Sequence, residues 1–387
     1  MIPRPCTVRR IRPWTVAAFA LAALLLATLP GAARASSGTP AATGDPPVFA
    51  YYYIWFNPTS WERAKIDYPI LGHYSSDERE VMRTHIRWAK EAGIEGFMVS
   101  WKNTPVLNRR LDKLISAARQ QRFKLGIIYQ GLDFQREPLP AETVARDLVY
   151  FKRHFASRKP FRALAAPLVI WSGTWRFSRA EVASVTNRSR DGLLLLASEK
   201  NVAGYERIAD LVDGDAYYWS SVNPSTYPHY RGKLVDMSAA VHRRQGLWMA
   251  PVSPGFDARL IGGTSVVPRR DGATLRTEYD TAISSSPDLI GLISWNEFSE
   301  NSHVEPSTRY GPRALDVLAD IRGAQPPTVQ EFDSSEPGGR TSVGRGLGLL
   351  AALLILLAGG MIAIRRHRLA GRRHRGSPFS GGLRQDR

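Results

Sequence analysis

Cysteine is almost absent from this chain. Of 387 residues only Cys6 is a cysteine, and it stands ahead of the first apolar run. The rest of the chain therefore has no disulfide, no cysteine nucleophile and no thiolate metal ligand. Cys6 also lies too early to be a lipoprotein acylation site. His73, His229 and His303 are scattered without metal-ligand spacing, so no metal or cofactor is expected. No glycine-rich phosphate turn follows any apolar segment, which disfavours an open nucleotide-binding sheet. No LPxTG-like motif precedes the C-terminal apolar run, so a cell-wall sorting anchor lacks its signal. A basic surplus is missing where it would matter. The formal charge is +17, but residues 1–35 hold five arginines and no acid, and residues 365–387 hold eight arginines and one aspartate. The 39 bases between them face 34 acids. A nucleic-acid partner is not expected.

Both ends carry membrane signals. Arg9, Arg10 and Arg12 precede an apolar run over 14–29, and Ala33-Arg34-Ala35 is an A-x-A-like cleavage site. Residues 1–35 read as a secretory signal peptide, with Arg9-Arg10 leaving the export route open between the general and twin-arginine systems. Residues 346–364 are 19 in number without a charge, about 28 Å as a helix, enough to span a bilayer. Arg365, Arg366 and Arg368 follow at once, the positive-inside pattern. The expected organisation is a linker at 36–47, one domain at 48–324, a second linker at 325–345, a transmembrane helix at 346–364 and a basic cytoplasmic tail at 365–387. Membrane lipid is the partner expected for that helix. Oligomeric state leaves no sequence signal.

Within the domain, short apolar runs alternate with amphipathic stretches. Strands are predicted at 48–55, 94–101, 124–129, 167–171, 193–198, 216–219, 247–252 and 289–295. Helices are predicted at 78–92, 107–121, 142–155, from Ser178, at 202–211, 233–244, 275–284 and 312–321. Continuous rather than alternating apolar runs suit strands covered on both faces. Eight β-then-α units in about 280 residues is the count of a (β/α)8 TIM barrel.

Catalytic residues of such barrels gather at the C-terminal strand ends. Aromatic residues crowd those ends here: Tyr51, Tyr52, Tyr53 and Trp55; Trp101; Tyr129; Trp171; Tyr217, Tyr218 and Trp219. Flat apolar faces with polar tips fit sugar rings. After the last strand come Trp295, Asn296, Glu297 and Glu300, with Glu305 beyond. Glycoside cleavage needs two carboxyls, one protonated and one ionised. Two glutamates three apart on one strand-end turn can point into one cavity and raise each other's pKa. Asp257, after Pro254-Gly255-Phe256, is read as either a substrate ligand or a turn stabiliser.

The segment from Ser294 to Pro306, Ser-Trp-Asn-Glu-Phe-Ser-Glu-Asn-Ser-His-Val-Glu-Pro, resembles the signature S-[FWY]-N-E-W-H-E-G-[TS]-Q-I-E of glycoside hydrolase family 99, the endo-α-mannosidases and endo-α-mannanases. Tyr52-Tyr53-Ile54-Trp55-Phe56, Leu71 through Asp77, residues 93–101 and Pro254 through Asp257 agree with further stretches of that family. The resemblance covers about residues 48–322. It implies retaining cleavage of α-mannosidic bonds without metal. Glu297 would deprotonate the sugar's own 2-hydroxyl, and Glu300 would be the general acid/base. The implied glycan-binding set is Tyr52, Tyr53, Trp55, His73, Tyr74, Trp101, Tyr129, Tyr218, Trp219, Asp257, Trp295, Asn296, His303 and Glu305. Phe298-Ser299 replace the family's Trp-His, and Asn301-Ser302-His303 replace its Gly-Thr/Ser-Gln. Two other readings remain: a non-catalytic glycan-binding module serving surface-polysaccharide assembly, and an α-glucanase similar to family 71.

The topology reading has a direct check. Protease added to intact cells should remove residues 36–345 and spare the tail; a protected domain would refute the assignment.

Overall fold

The computed structural model describes residues 44–162 and 164–329. The signal peptide, most of both linkers, the apolar segment at 346–364 and the basic tail lie outside the described residues. Among the described residues no helix is long and apolar enough to cross a membrane.

Eight parallel strands close into a barrel: β1 (Val48–Tyr53), β2 (Gly96–Trp101), β3 (Lys124–Gln130), β4 (Leu168–Ser172), β5 (Leu194–Ala197), β6 (Gly214–Ala216), β7 (Leu247–Val252) and β10 (Leu289–Leu292). The strands follow one another round the ring in chain order, and β10 pairs with β1 through Val48↔Ile290 and Ala50↔Leu292. Between β7 and β10 the chain inserts a small antiparallel ribbon, β8 (Phe256–Asp257) against β9 (Val266–Val267). That ribbon is not visible as a pattern in the sequence, because two-residue strands are too short to show a period.

Eight helices cover the barrel: α1 (Arg79–Glu91), α2 (Pro105–Gln120), α3 (Ala141–His154), α4 (Arg179–Ser189), α5 (Val202–Glu206), α6 (Tyr230–Arg243), α7 (Ala273–Ile283) and α8 (Arg313–Ile321). Their ends follow local chemistry. Thr104 caps α2 and Pro105 opens it, while Ser178 and Glu181 form a capping box on α4. In α1 the buried residues Met82, His85, Ile86 and Ala89 recur at helical spacing and face the sheet.

Most strand bounds shift by one or two residues, β1 stopping at Tyr53 rather than Trp55, and two ends differ by three. The sixth strand is Gly214–Ala216, so Tyr217, Tyr218 and Trp219 lie beyond it. The eighth stops at Leu292, and residues 293–295 begin the functional loop. Apolar character continues past both strands because the covering layer also reaches past the last ladder hydrogen bond.

Side chains alternate between two apolar layers, as period-two strands require. Phe49, Tyr51, Met98, Ile128, Ile170, Leu196, Met249 and Ile293 fill the barrel interior. Ala50, Tyr52, Phe97, Val99, Trp101, Ile127, Tyr129, Val169 and Trp171 point outward into the helix layer.

Closure is tightest where β6 meets β7. Gly214 has φ +152°, and a Cβ there would lie 2.0 Å from the Leu247 carbonyl oxygen. Gly214→Ala should therefore destabilise the barrel by about 2 kcal/mol or more, read from the urea midpoint. A loss below roughly 0.5 kcal/mol, the scatter of ordinary surface changes, would show that the strands are not held this close.

Candidate functional site

The loop after β10 folds back on itself at the C-terminal face. Ser294 N–H donates to the Ser302 carbonyl at 2.8 Å, and Ser302 N–H donates to the Glu297 carbonyl at 3.2 Å. Trp295 N–H donates to the Tyr51 carbonyl at 2.7 Å, tying the loop to β1. Asn296 completes the tie. Its Oδ1 accepts from Tyr53 N–H at 2.8 Å, and its Nδ2 donates to the Tyr53 carbonyl at 3.0 Å.

This frame carries two carboxyls. Glu297 is buried; its own N–H donates to Ser294 Oγ at 2.8 Å, and its Oε1 accepts from Ser299 N–H at 3.0 Å. Burial, then the charge of Glu300, pushes Glu297 up to about 8 against the opposing bonds from Ser299 and the Lys65 charge. Glu300 is half-buried, and its carbonyl accepts from Asp257 N–H at 2.8 Å. Burial raises its pKa too, opposed by Arg136. Two like charges in one desolvated pocket resist joint ionisation, so the pair favours sharing a proton over ionising twice.

Tyr53 and Tyr218 belong to the same pocket. Their hydroxyls lie 2.8 Å apart. Burial raises both phenols, and each also feels the charge of both glutamates. Trp55 stacks on Tyr53 at 4.4 Å and is 43% exposed, an open flat face beside the carboxyls. Phe56, Trp61, Tyr74 and Phe298 pack behind it, with exposed His73 at their edge, 6.1 Å from Trp61.

Several residues expected to meet glycan are placed elsewhere. Tyr52, Trp101, Tyr129, Trp219 and Trp295 lie in the helix layer. Strand parity places Tyr52, Trp101 and Tyr129: in β1 the inward residues are 49, 51 and 53, in β2 they are even-numbered, and in β3 likewise. Trp295 lies past the end of β10, where the loop tied to Tyr51 turns it outward against the strand's parity. Trp101 donates to Asn108 and Tyr129 to Asp147, both outside the barrel. Trp219 stacks on Tyr230 of α6 at 4.8 Å. Four others are interior struts. Tyr74 donates to Glu305 at 2.9 Å, Glu305 meets His85 at 3.1 Å, and His85 meets the Tyr52 hydroxyl at 3.0 Å. Asn296 donates to the Tyr74 hydroxyl at the near end of that chain. His303 is buried, 3.1 Å from Asp67, and burial holds it down to about 4, so it is neutral. Asp257 is ion-paired to Arg259 at 2.6 Å, and its N–H serves Glu300. Tyr53, Trp55, His73 and Tyr218 are the expected ligands that remain at the mouth with both glutamates.

Parity also identifies what the aromatic pattern missed. Ser100, Gln130 and Ser172 are the last inward residues of β2, β3 and β4, and Gln130 donates to Ser100 at 3.1 Å. Lys65 and Arg136, whose charges oppose the raised pKa values of the two glutamates, sit in irregular loops and carry no sequence signal.

A family model for glycosyl hydrolase family 99 matches residues 62–318. Among solved structures, the chain is similar to the family 99 endo-α-mannosidase of Bacteroides thetaiotaomicron, at TM-score 0.64 and 20% identity over 73% of this chain and 97% of that one. The same enzyme in complex with bis-tris propane aligns at TM-score 0.63 and 20% identity, covering 73% and 98%. A glycoside hydrolase-like protein aligns at TM-score 0.54 and 15% identity, covering 71% and 93%. At these identities the structures bear on the fold.

The buried acid has a stability signature. A carboxyl raised from 4.5 to about 8 in the folded state favours folding below 4.5 and costs stability as pH rises through 8. Glu297→Gln removes that cost. Its unfolding free energy should match wild type near pH 4 and exceed it near pH 9 by about a few kcal/mol at most, with Tm rising in step. Equal Tm values at both pH extremes would mean Glu297 is solvated.

Proposed function

The chain belongs to glycosyl hydrolase family 99, and we propose that it is a membrane-anchored, outward-facing retaining glycosidase cleaving α-linked mannan or a related polysaccharide through Glu297 and Glu300. The observation that carries the reading is the shared pocket of Glu297, Glu300, Tyr53 and Tyr218 under the open face of Trp55. Export and anchoring rest on the apolar segments at 14–29 and 346–364 and their flanking arginines.

In this reading Glu297 removes the proton from the sugar's 2-hydroxyl. That oxygen attacks the anomeric carbon as the glycosidic bond breaks, and Glu300 gives its proton to the departing oxygen. Water then opens the epoxide-like intermediate from the leaving-group side, losing its proton to Glu300 while Glu297 returns one to the 2-oxygen. Anomeric configuration is retained. The chemistry needs a pair with one proton, which is the state that burial and mutual repulsion favour. Burial also makes Glu297 a stronger base toward a hydroxyl once its proton lies on its neighbour.

Substitutions separate the two roles in the full-length protein. Glu300→Gln should lose about 10²–10⁴-fold on natural glycans but keep more activity on activated aryl glycosides, whose leaving groups need no proton. Glu297→Gln should fail on both, and a 2-deoxy substrate should bind without turnover. Wild-type activity that survives both changes would overturn the assignment. A wild type that binds glycans and cleaves none would identify a binding module, the reading that Phe298 and Ser299 at the family's Trp-His positions would favour.

A further inference from the structure

The strand-end segment after β6 faces two ways. Tyr218 points to the carboxyl pocket, while Tyr217 and Trp219 on either side point outward. On that outward side the Lys233 ammonium sits 4.4 Å from the centre of the Trp219 ring and 4.7 Å from that of Tyr217. From the neighbouring loop after β5, Lys200 sits 4.4 Å over Trp175, which follows β4. Lys233 is half-buried and Lys200 exposed. Burial lowers the pKa of Lys233, and the charge of Lys200 lowers it further, so the two ammoniums feel each other.

Among the described residues neither ammonium makes an ion pair or donates a hydrogen bond. The adjacent acid Glu199 is turned inward and held by Arg207 at 3.3 Å; it feels the charge of Lys200 but accepts no hydrogen bond from it. Asp236, one turn along α6, is exposed and makes no bridge to Lys233. Aromatic faces attract a cation but accept no strong hydrogen bonds, so six N–H donors converge on this rim unmet by protein. Two like charges seated on neighbouring rings, one of them half-buried, repel each other when empty and are stabilised by an anion between them.

We propose that Lys200 and Lys233, seated on Trp175, Tyr217 and Trp219, form a subsite for an anionic substituent of the glycan, a carboxylate, sulfate or phosphate. The natural substrate is then an acidic polysaccharide. This rests on the glycosidase reading and narrows its substrate class. The placement suits the electrostatics. Glu297 and Glu300 repel an anion, and the lysines hold it on the far side of Tyr218, leaving an uncharged linkage over the glutamates.

Calorimetric titration of the full-length protein tests it without requiring turnover. The probes are mannose, mannuronate, mannose 6-sulfate and mannose 6-phosphate, titrated into wild type, Lys200→Gln, Lys200→Gln/Lys233→Gln and Glu297→Gln. At least one charged sugar should bind roughly ten-fold tighter than mannose, the worth of a charge-assisted hydrogen bond. High salt or the double substitution should abolish that preference, Lys200→Gln alone should weaken it, and Glu297→Gln should leave it intact. The best charged probe identifies the substituent. Equal binding of all four sugars, or a preference that persists in the double variant, would overturn the subsite. Failure of the glycosidase reading is distinct: charged sugars would still bind, and no glycan would be cleaved.

Discussion

Period-two alternation along closed, parallel strands is the constraint on which the rest of this molecule depends. Once β10 pairs with β1 and the ring is shut, each strand residue has only two environments, the barrel interior or the helix layer. The same rule sorts the last residue of every strand into a mouth position or a buried one. Tyr52 and Tyr53 are chemically identical neighbours with different fates. One anchors His85 behind the sheet, and the other meets Tyr218 beside the glutamates. No statement about an aromatic-rich strand end is functional until its parity is fixed.

The carboxyls impose the second demand. Holding Glu297 out of water raises its pKa to about 8, a cost of a few kcal/mol whenever it must ionise. The surrounding scaffold is built to bear this. Asn296 locks the end of β1 through both backbone atoms of Tyr53, and Tyr74, Glu305, His85 and Tyr52 continue the lock into α1 as one chain of buried polar contacts. A buried polar network is stable only when its members are satisfied, and in return it fixes geometry. Glu305 illustrates the point: as the third acid of the motif it reads from sequence as a glycan ligand, yet both its oxygens are engaged inside the protein.

The barrel was legible in the sequence because its signals are additive. Eight apolar runs, eight amphipathic segments, Pro105 and the Ser178–Glu181 box all push toward one topology. The site was legible only where chemistry and position coincide, at Glu297, Glu300, Tyr53, Trp55 and Tyr218. Trp101 and Tyr129 share the parity of the apolar residues at 97, 99, 125 and 127, which face the helix layer, so residue type alone does not place them at the mouth. Lys65 and Arg136 were out of reach for another reason. Their proximity to the glutamates is made by irregular loops whose path no local pattern encodes.

The departures from the family signature gain a physical meaning from the same loop. Phe298 and His303 stack at 4.0 Å with an interplanar angle of 18°, and His303 is moored to Asp67. Arg269 in turn holds the His303 carbonyl at 2.7 Å. Two of the changed positions therefore contact each other and form one packed unit, so either substitution alone would leave its partner poorly seated. The anchors of Glu297 are different atoms altogether: Ser294 Oγ, Ser299 N–H and Ser302 N–H. None of them uses the side chain of residue 298 or 303. The stacked pair of Phe298 and His303 thus stands apart from the bonds that hold Glu297, whereas Ser299, in the family's histidine position, bonds Glu297 itself; of the changed positions, the first two can vary without moving the acid and the third cannot.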